Sequence, residues 1–132
     1  MDDAADKKAE HPAIARFRNN SLGFWDAYKW VLVLFAVAVF LDAASTIRFM
    51  LKLGPELEIH PMVRIAAQVA GPVAGPLLGA AAKVLIGVFV AIYCRRWAAY
   101  ILVATAMISL WAAWYNVWGV NMYYPFFVQY FP

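Results

Sequence analysis

Three long runs of apolar residues dominate the chain, and each is long enough to cross a bilayer as a single helix. They cover about residues 24–53, 71–94 and 97–120. A transmembrane helix needs about 20 consecutive, mostly apolar residues. The pattern therefore predicts an all-α polytopic membrane protein, in which residues 24–120 form a bundle of three transmembrane helices.

The remaining segments are too short or too polar to span. Residues 61–70 begin with Pro61, which suits the first turn of a helix, and they predict a short helix that is either interfacial or re-entrant. Residues 1–23 form a polar N-terminal segment, in which residues 12–20 fit either a short interfacial helix or a disordered tail. Residues 121–132 are rich in aromatic side chains, which predicts that they lie along the membrane interface.

The composition agrees with a bilayer as the solvent. The chain is 65% hydrophobic and only 14% charged, so a soluble fold of 132 residues could not hide its apolar surface. A net charge of +3 is too small to indicate a nucleic-acid partner, and the lipid bilayer is the expected one. Cys94 is the only cysteine, which excludes a disulfide within the chain.

The basic residues predict the orientation. Those before the first span and those between the second and third spans fall on the same side of a three-span protein: Lys7, Lys8, Arg16, Arg18, Arg95 and Arg96. Loops rich in lysine and arginine stay in the cytoplasm. We therefore expect a multi-pass protein of the cell membrane with a cytoplasmic N-terminus.

Two opposite charges lie inside the predicted spans. Asp42 is about 5 Å from the centre of the first span at about 1.5 Å per residue, and Lys83 is near the centre of the second. Either charge alone would cost roughly 2.5–3.5 kcal/mol on an insertion scale. Because the two helices run antiparallel, the charges lie at matched depth and predict a pair. The pair is either a structural link that fixes the helix register or part of an ion or proton site.

Further polar residues indicate a shared interior. Ser109 and Asn116 lie on one face of the third span, and Thr46 lies one turn beyond Asp42 on the first. Together with Lys83 these residues predict an intramembrane polar cluster to which all three spans contribute.

Glycines recur every four residues along the second span and form one stripe with Lys83. They are Gly71, Gly75, Gly79 and Gly87. Small residues at this spacing let another helix backbone approach closely. We interpret them as helix-packing residues within a homo-oligomer or a larger membrane complex. Pro76 is expected to kink this helix or to require partners for the backbone groups that it frees.

Residues 52–64, KLGPELEIHPMVR, concentrate polar chemistry in one loop. Glu58 and His60, together with Asp42, offer two carboxylates and an imidazole, the ligand types of many zinc and iron sites. The loop contains no metal-binding motif such as HExxH, so a hydrogen-bonded loop anchor is the favoured interpretation of His60. No metal site is predicted, and the sequence identifies no cofactor.

These polar residues carry a resemblance to a known group of proteins. In order, they are Asp42 and Thr46 in a D-x3-T spacing, Gly54, Glu58-x-His60-Pro61, and Lys83. Over about residues 42–90 this order resembles a family of small prokaryotic membrane proteins of unknown function, whose pattern has Asn at the position of His60. The resemblance implies that Asp42, Thr46, Glu58 and Lys83 form a linked polar set. It implies no activity.

Three functions are compatible with this sequence. The favoured one is a non-catalytic subunit or scaffold that packs through the glycine stripe into an oligomer or a larger membrane complex. The first alternative is an ion- or proton-coupled transporter component that uses Asp42 and Lys83. The second, less favoured, is an intramembrane metal-dependent enzyme that uses Asp42, Glu58 and His60. The chain contains no Ser/His/Asp set and no phosphate loop, so the sequence leans away from an enzyme.

Overall fold

The computed structural model describes residues 11–58 and 60–119. Four α-helices run in the order α1 (Pro12–Ser21), α2 (Phe24–Leu53), α3 (Pro61–Tyr93) and α4 (Ala98–Trp114). Single 3-10 turns, Pro55–Leu57 and Arg95–Trp97, precede α3 and α4, and α4 continues into a π-helical turn, Tyr115–Gly119. Three helical segments are long and apolar enough to cross a membrane: Phe24–Leu53, Pro61–Tyr93 and Arg95–Gly119. The predicted all-α polytopic fold is confirmed.

Helix α3 is broken into two arms at Gly71. Gly71 has φ 92° and ψ 164°, which is non-helical and belongs to a backbone region that is essentially restricted to glycine. Pro72 follows it and occupies the first position of the next helical stretch, where its missing N–H costs nothing. We call residues 61–70 the short arm and residues 72–93 the long arm. Pro76 lies inside the long arm without a dihedral break, so the kink predicted there is instead at Gly71.

The short arm folds back along the long arm. A Cβ placed on Gly75 would lie 2.5 Å from the Cα of Ala67, and one placed on Gly79 would lie 3.5 Å from Cγ2 of Val63. In a straight helix these pairs would be about 12 and 24 Å apart along the axis. In each of the two pairs, Gly71 lies midway in sequence between the contacting residues. The two arms therefore run antiparallel and form a helical hairpin. The short arm is thus packed against the second span rather than separate from it.

An apolar core fills the half of the bundle that contains Phe24. Its fully or nearly fully buried members come from α2, the long arm and α4: Phe24, Phe35, Ala38, Val39, Ala91, Ile92, Ala98, Leu102 and Ala106. Phe49 and Met50 of α2 pack with Ala67 of the short arm in a smaller cluster at the opposite end. We call the end near Phe24 the N-terminal end and the end near Gly71 the hairpin end. The apolar side chains hold the N-terminal half closed and leave the middle of the bundle to polar groups.

The polar N-terminal segment contains a helix from Pro12 to Ser21. The predicted aromatic interfacial segment, residues 121–132, lies outside the described residues, as do residues 1–10.

Candidate functional site

Asp42 and Lys83 form a direct ion pair between α2 and the long arm. The Nζ atom of Lys83 lies 2.6 Å from Oδ2 of Asp42. Asp42 keeps 14% of its side-chain surface exposed and Lys83 keeps 37%. Charge-assisted hydrogen bonds of this length are among the stronger ones in proteins. The two charges predicted at matched depth therefore neutralise each other in the structure.

Ser109 brings the third span into the same contact. The ammonium of Lys83 also donates to Oγ of Ser109, at 3.3 Å. Ser109 is completely buried on α4, so its hydroxyl faces protein on all sides. One lysine thus joins a carboxylate of α2 to a hydroxyl of α4. This arrangement fixes the relative height of three helices with a single side chain.

A second polar layer lies toward the hairpin end. Nδ2 of Asn116 donates to Oγ1 of Thr46 at 2.9 Å and to Oγ of Ser45 at 3.3 Å. The hydroxyl of Ser45 donates in turn to the backbone carbonyl of Asp42 at 2.8 Å. Thr46 is one turn from Asp42 along α2, about 6 Å. The two layers together connect α2 and α4 through polar contacts over more than one helical turn.

The structure brings together every residue of the predicted intramembrane cluster. Asp42, Lys83 and Ser109 share one layer, and Thr46 and Asn116 share the next. Ser45 is an additional member; its position next to Thr46 on the polar face of α2 was the only sequence signal for it. Thr105, one turn from Ser109, donates to the carbonyl of Ile101 in its own helix and links no other element.

The loop residues Glu58 and His60 have a different role. Oε1 of Glu58 accepts a hydrogen bond from the backbone N–H of His60, at 2.9 Å. His60 is exposed and precedes the first residue of the short arm. Glu58 therefore satisfies a backbone donor at a helix N-terminus, where a carboxylate is also favoured by the helix dipole. This hydrogen bond is local to the loop and does not link Glu58 to Asp42, Thr46 or Lys83.

No metal-binding group is present among residues 11–58 and 60–119. No three His, Cys, Asp or Glu side chains of these residues share a site that could hold a metal ion. Asp42 is engaged by Lys83, and Glu58 is engaged by the loop backbone. The three residues considered as metal ligands, Asp42, Glu58 and His60, are thus not assembled into one site.

Other segments of the same chain pack against three of the four glycines in the stripe. Gly75 and Gly79 face the short arm, and a Cβ on Gly87 would lie 2.8 Å from Cζ of Phe35 on α2. Gly71 is the hairpin turn and belongs to no continuous helical stripe. The glycines permit close packing as the spacing predicts, but the partners that they contact are the short arm and α2.

A polar network that the sequence interpretation did not identify closes the N-terminal end. NH1 of Arg95 donates to the carbonyls of Asn20 and Leu22 at 2.9 and 2.6 Å, and Nδ2 of Asn20 donates to the carbonyl of Tyr93 at 3.1 Å. The hydroxyl of Tyr28 donates to the carbonyl of Arg95 at 3.0 Å. These contacts fasten the end of α1 and the start of α2 to the turn between α3 and α4. Arg95 was interpreted only as a topology signal, and nothing in the spacing of Asn20 points to Tyr93.

Comparison of the chain with family models, with curated proteins and with solved structures found no match.

Proposed function

We propose that this chain is a small integral membrane subunit that acts through assembly and not through turnover of a substrate. The observation that carries the proposal is the use of the intramembrane charges. Lys83 is held between Asp42 and Ser109, so one ammonium group joins all three spans. Fixing the helix register is enough to explain why the two charges are present, without a catalytic or transport role for them.

The packing on either side of the pair supports a structural role. Toward the N-terminal end, the core between the spans includes Phe35 and Ala38 of α2 and Leu102 and Ala106 of α4, all of which are 0–1% exposed. An ion or proton path needs polar groups or water along its length, and these four side chains offer none. Asn116 continues the polar contacts between helices toward the hairpin end, whereas Thr105, one turn toward the N-terminal end from Ser109, donates to a carbonyl of its own helix. The cluster therefore resembles a closed polar layer and not a channel.

Assembly with another protein is supported by the surface around Lys83. More than a third of the Lys83 side chain is exposed, although Lys83 pairs with Asp42 in the middle of the proposed spans. Lipid tails offer no hydrogen-bonding partner, and ionisable groups in spans normally face protein or water. The most apolar stretch of the α3 span is also only 22% buried by the chain, the lowest share of the three spans. A copy of this chain or a larger membrane protein would cover this side of α3.

The glycines do not supply that assembly surface, because the short arm and Phe35 occupy them. The exposed residues beside Lys83 are the better candidates. Ala82 and Ile86 are exposed, and Ile86 lies one turn along the long arm from Lys83. We propose that the assembly contact includes these two positions.

Photo-crosslinking tests this proposal directly. A photoreactive amino acid replacing Ile86 should give a discrete protein adduct in intact membranes, whereas the same group replacing Ile108, an exposed residue on α4, should react mainly with lipid. A chain that gives no protein adduct from Ile86 or Ala82, and that stays monomeric in nanodiscs, would contradict assembly through this face.

The second candidate is an ion- or proton-coupled transporter component. It is favoured by one detail of the pair: within the described residues, the second carboxylate oxygen of Asp42 has no hydrogen-bond partner, and neither does the third N–H of Lys83. Flux of protons or monovalent ions into liposomes that contain the purified chain, lost in Asp42→Asn, would establish this function in place of the first. An intramembrane metal enzyme would require bound metal in the purified protein, which elemental analysis would detect.

The proposed membrane is the cell membrane, with the N-terminal end of the bundle in the cytoplasm. Arg16, Arg95 and Arg96 gather at that end, as the positive-inside rule requires.

A further inference from the structure

Basic side chains are distributed unequally between the two ends of the bundle. Among the described residues, the N-terminal end carries five basic side chains and one acidic one: Arg16, Arg18, Lys29, Arg95, Arg96 and Asp26. Residues 48–70, which comprise the last turns of α2, the loop after it and the short arm, carry three basic and two acidic side chains: Arg48, Lys52, Arg64, Glu56 and Glu58. Among the described residues, the N-terminal end thus has the larger excess of basic over acidic side chains.

Three of these cations lie over aromatic rings. The guanidinium of Arg16 lies 4.6 Å from the ring centre of Tyr93, and that of Arg96 lies 5.9 Å from the ring of Trp97. Nζ of Lys29 is 5.7 Å from the ring of Trp30. A guanidinium that lies over a ring still has its N–H donors available, and their planar fork matches a phosphate group.

The docking of α1 holds Arg16 against the end of α3, close in sequence to Arg96. Arg95 binds the carbonyls at the end of α1, and the ring of Phe17 stacks on that of Phe89 at 5.0 Å. Arg16 of α1 is thereby held over Tyr93, three residues before Arg96. Arg95 is used to fix α1, whereas Arg16 and Arg96 are exposed.

We infer that this surface binds the headgroups of anionic phospholipids. Its occupant is argued from its surroundings: Trp25, Trp97 and Tyr100 are 57–70% exposed at the same end. Exposed tryptophan and tyrosine mark the level of the lipid headgroups, and basic side chains at that level attract anionic lipids. The cations and the aromatic belt therefore coincide where lipid phosphates lie.

Variants in nanodiscs test this inference. In nanodiscs of phosphatidylcholine, adding phosphatidylglycerol should raise the thermal unfolding midpoint, and native mass spectrometry should find phosphatidylglycerol retained in preference to phosphatidylcholine. Both effects should disappear in the double variant Arg16→Gln/Arg96→Gln. They should persist in Arg48→Gln/Lys52→Gln, which loses the same charge at the hairpin end. Residues 1–10, with four acidic and two basic side chains, are identical in all of these proteins.

The other outcomes each overturn the inference. Equal retention of the two lipids by the unmodified protein would show that it has no preference for anionic lipid. Equal loss of the effects in both double variants would show that they depend on net charge and not on this surface. Stabilisation by inorganic phosphate in phosphatidylcholine nanodiscs, relative to chloride at the same ionic strength, would assign the surface to free phosphate. If Arg16→Gln/Arg96→Gln is already destabilised in phosphatidylcholine, the single variant Arg96→Gln replaces it, since Arg96 is exposed and lies over the ring of its neighbour Trp97.

Discussion

Lys83 and Asp42, 41 residues apart in sequence, meet with 2.6 Å between Nζ and Oδ2. The contact joins the second span to the first, and Ser109 extends it to the third. Each partner lies within a long apolar helix. If one partner is removed, water cannot readily solvate the charge that remains. The two residues should therefore behave as one unit when either is replaced.

Asp42→Asn and Lys83→Met are each expected to destabilise the bundle strongly. Removing one partner leaves the other charge uncompensated within an apolar span, at a cost of about 2.5–3.5 kcal/mol unless that group becomes neutral. The double variant should recover much of the loss, because neither charge then needs a partner. Unfolding of all four proteins in the same detergent completes a double-mutant cycle. Additive losses would show that the pair is not a coupled unit.

Ser109→Ala should cost more than Thr105→Ala, although both remove one hydroxyl from α4. Ser109 is fully buried and accepts from Lys83, whereas Thr105 donates only to a carbonyl of its own helix. A hydrogen bond to a charged group contributes about 1.5–3 kcal/mol, and the Thr105 variant should lie near the unmodified protein. Unfolding midpoints of the two variants provide the comparison. Equal values would mean that the 3.3 Å contact contributes little.

The sequence predicted the fold class and the polar cluster because both depend on simple quantities. Span length depends on the apolar run, and the depth of Asp42 and Lys83 follows from the rise per residue in two antiparallel helices. Polar residues spaced by three or four, such as Ser109 and Asn116, must share a face of any helix. These arguments need no knowledge of neighbouring elements.

The hairpin and the α1 contacts could not be derived in this way. A glycine that repeats every four residues is compatible with both a packing stripe and a turn, and only the dihedral angles of Gly71 distinguish them. The partner of the stripe was equally open: sequence spacing shows that Gly75 and Gly79 admit a close neighbour but not that the neighbour is the short arm. Asn20 likewise bonds a backbone carbonyl of Tyr93, and such an acceptor exists at every residue.

The two chain termini should lie on opposite sides of the membrane, with the N-terminus inside. A cysteine replacing Ala5 should react with a membrane-impermeant maleimide only after permeabilisation, and one replacing Phe131 should react in intact cells. Cys94 is replaced by Ala in both proteins so that only the new thiol is labelled. Labelling of both positions from the same side would contradict three spans.

Gly75→Ala should disrupt the hairpin, whereas Gly79→Ala should be tolerated. The new methyl at position 75 would lie 2.5 Å from the backbone of Ala67, which cannot rotate away, so the arms must separate. At position 79 the nearest atom, Cγ2 of Val63, is 3.5 Å away, an ordinary van der Waals distance. Overpacking of this kind typically costs about 1–3 kcal/mol. Thermal unfolding in nanodiscs should separate the two variants, and a tolerated Gly75→Ala would mean that the arms are not in close contact.

Gly71→Ala tests the turn independently of packing. No atom lies within 4 Å of the position that its Cβ would occupy, so a steric clash is not expected. The dihedral angles φ 92° and ψ 164° should nevertheless cost an alanine about 1–3 kcal/mol, because a residue with a Cβ rarely adopts them.

The measurement is a disulfide between Val63→Cys and Gly79→Cys, in a background with Cys94→Ala. It should form readily with Gly71 present and in lower yield with Gly71→Ala. A pairing of Ile65→Cys with Gly79→Cys is the control, since Ile65 is exposed on the short arm. Unchanged yield in Gly71→Ala would show that the hairpin does not depend on this glycine, because the arms would then hold the turn against its backbone strain.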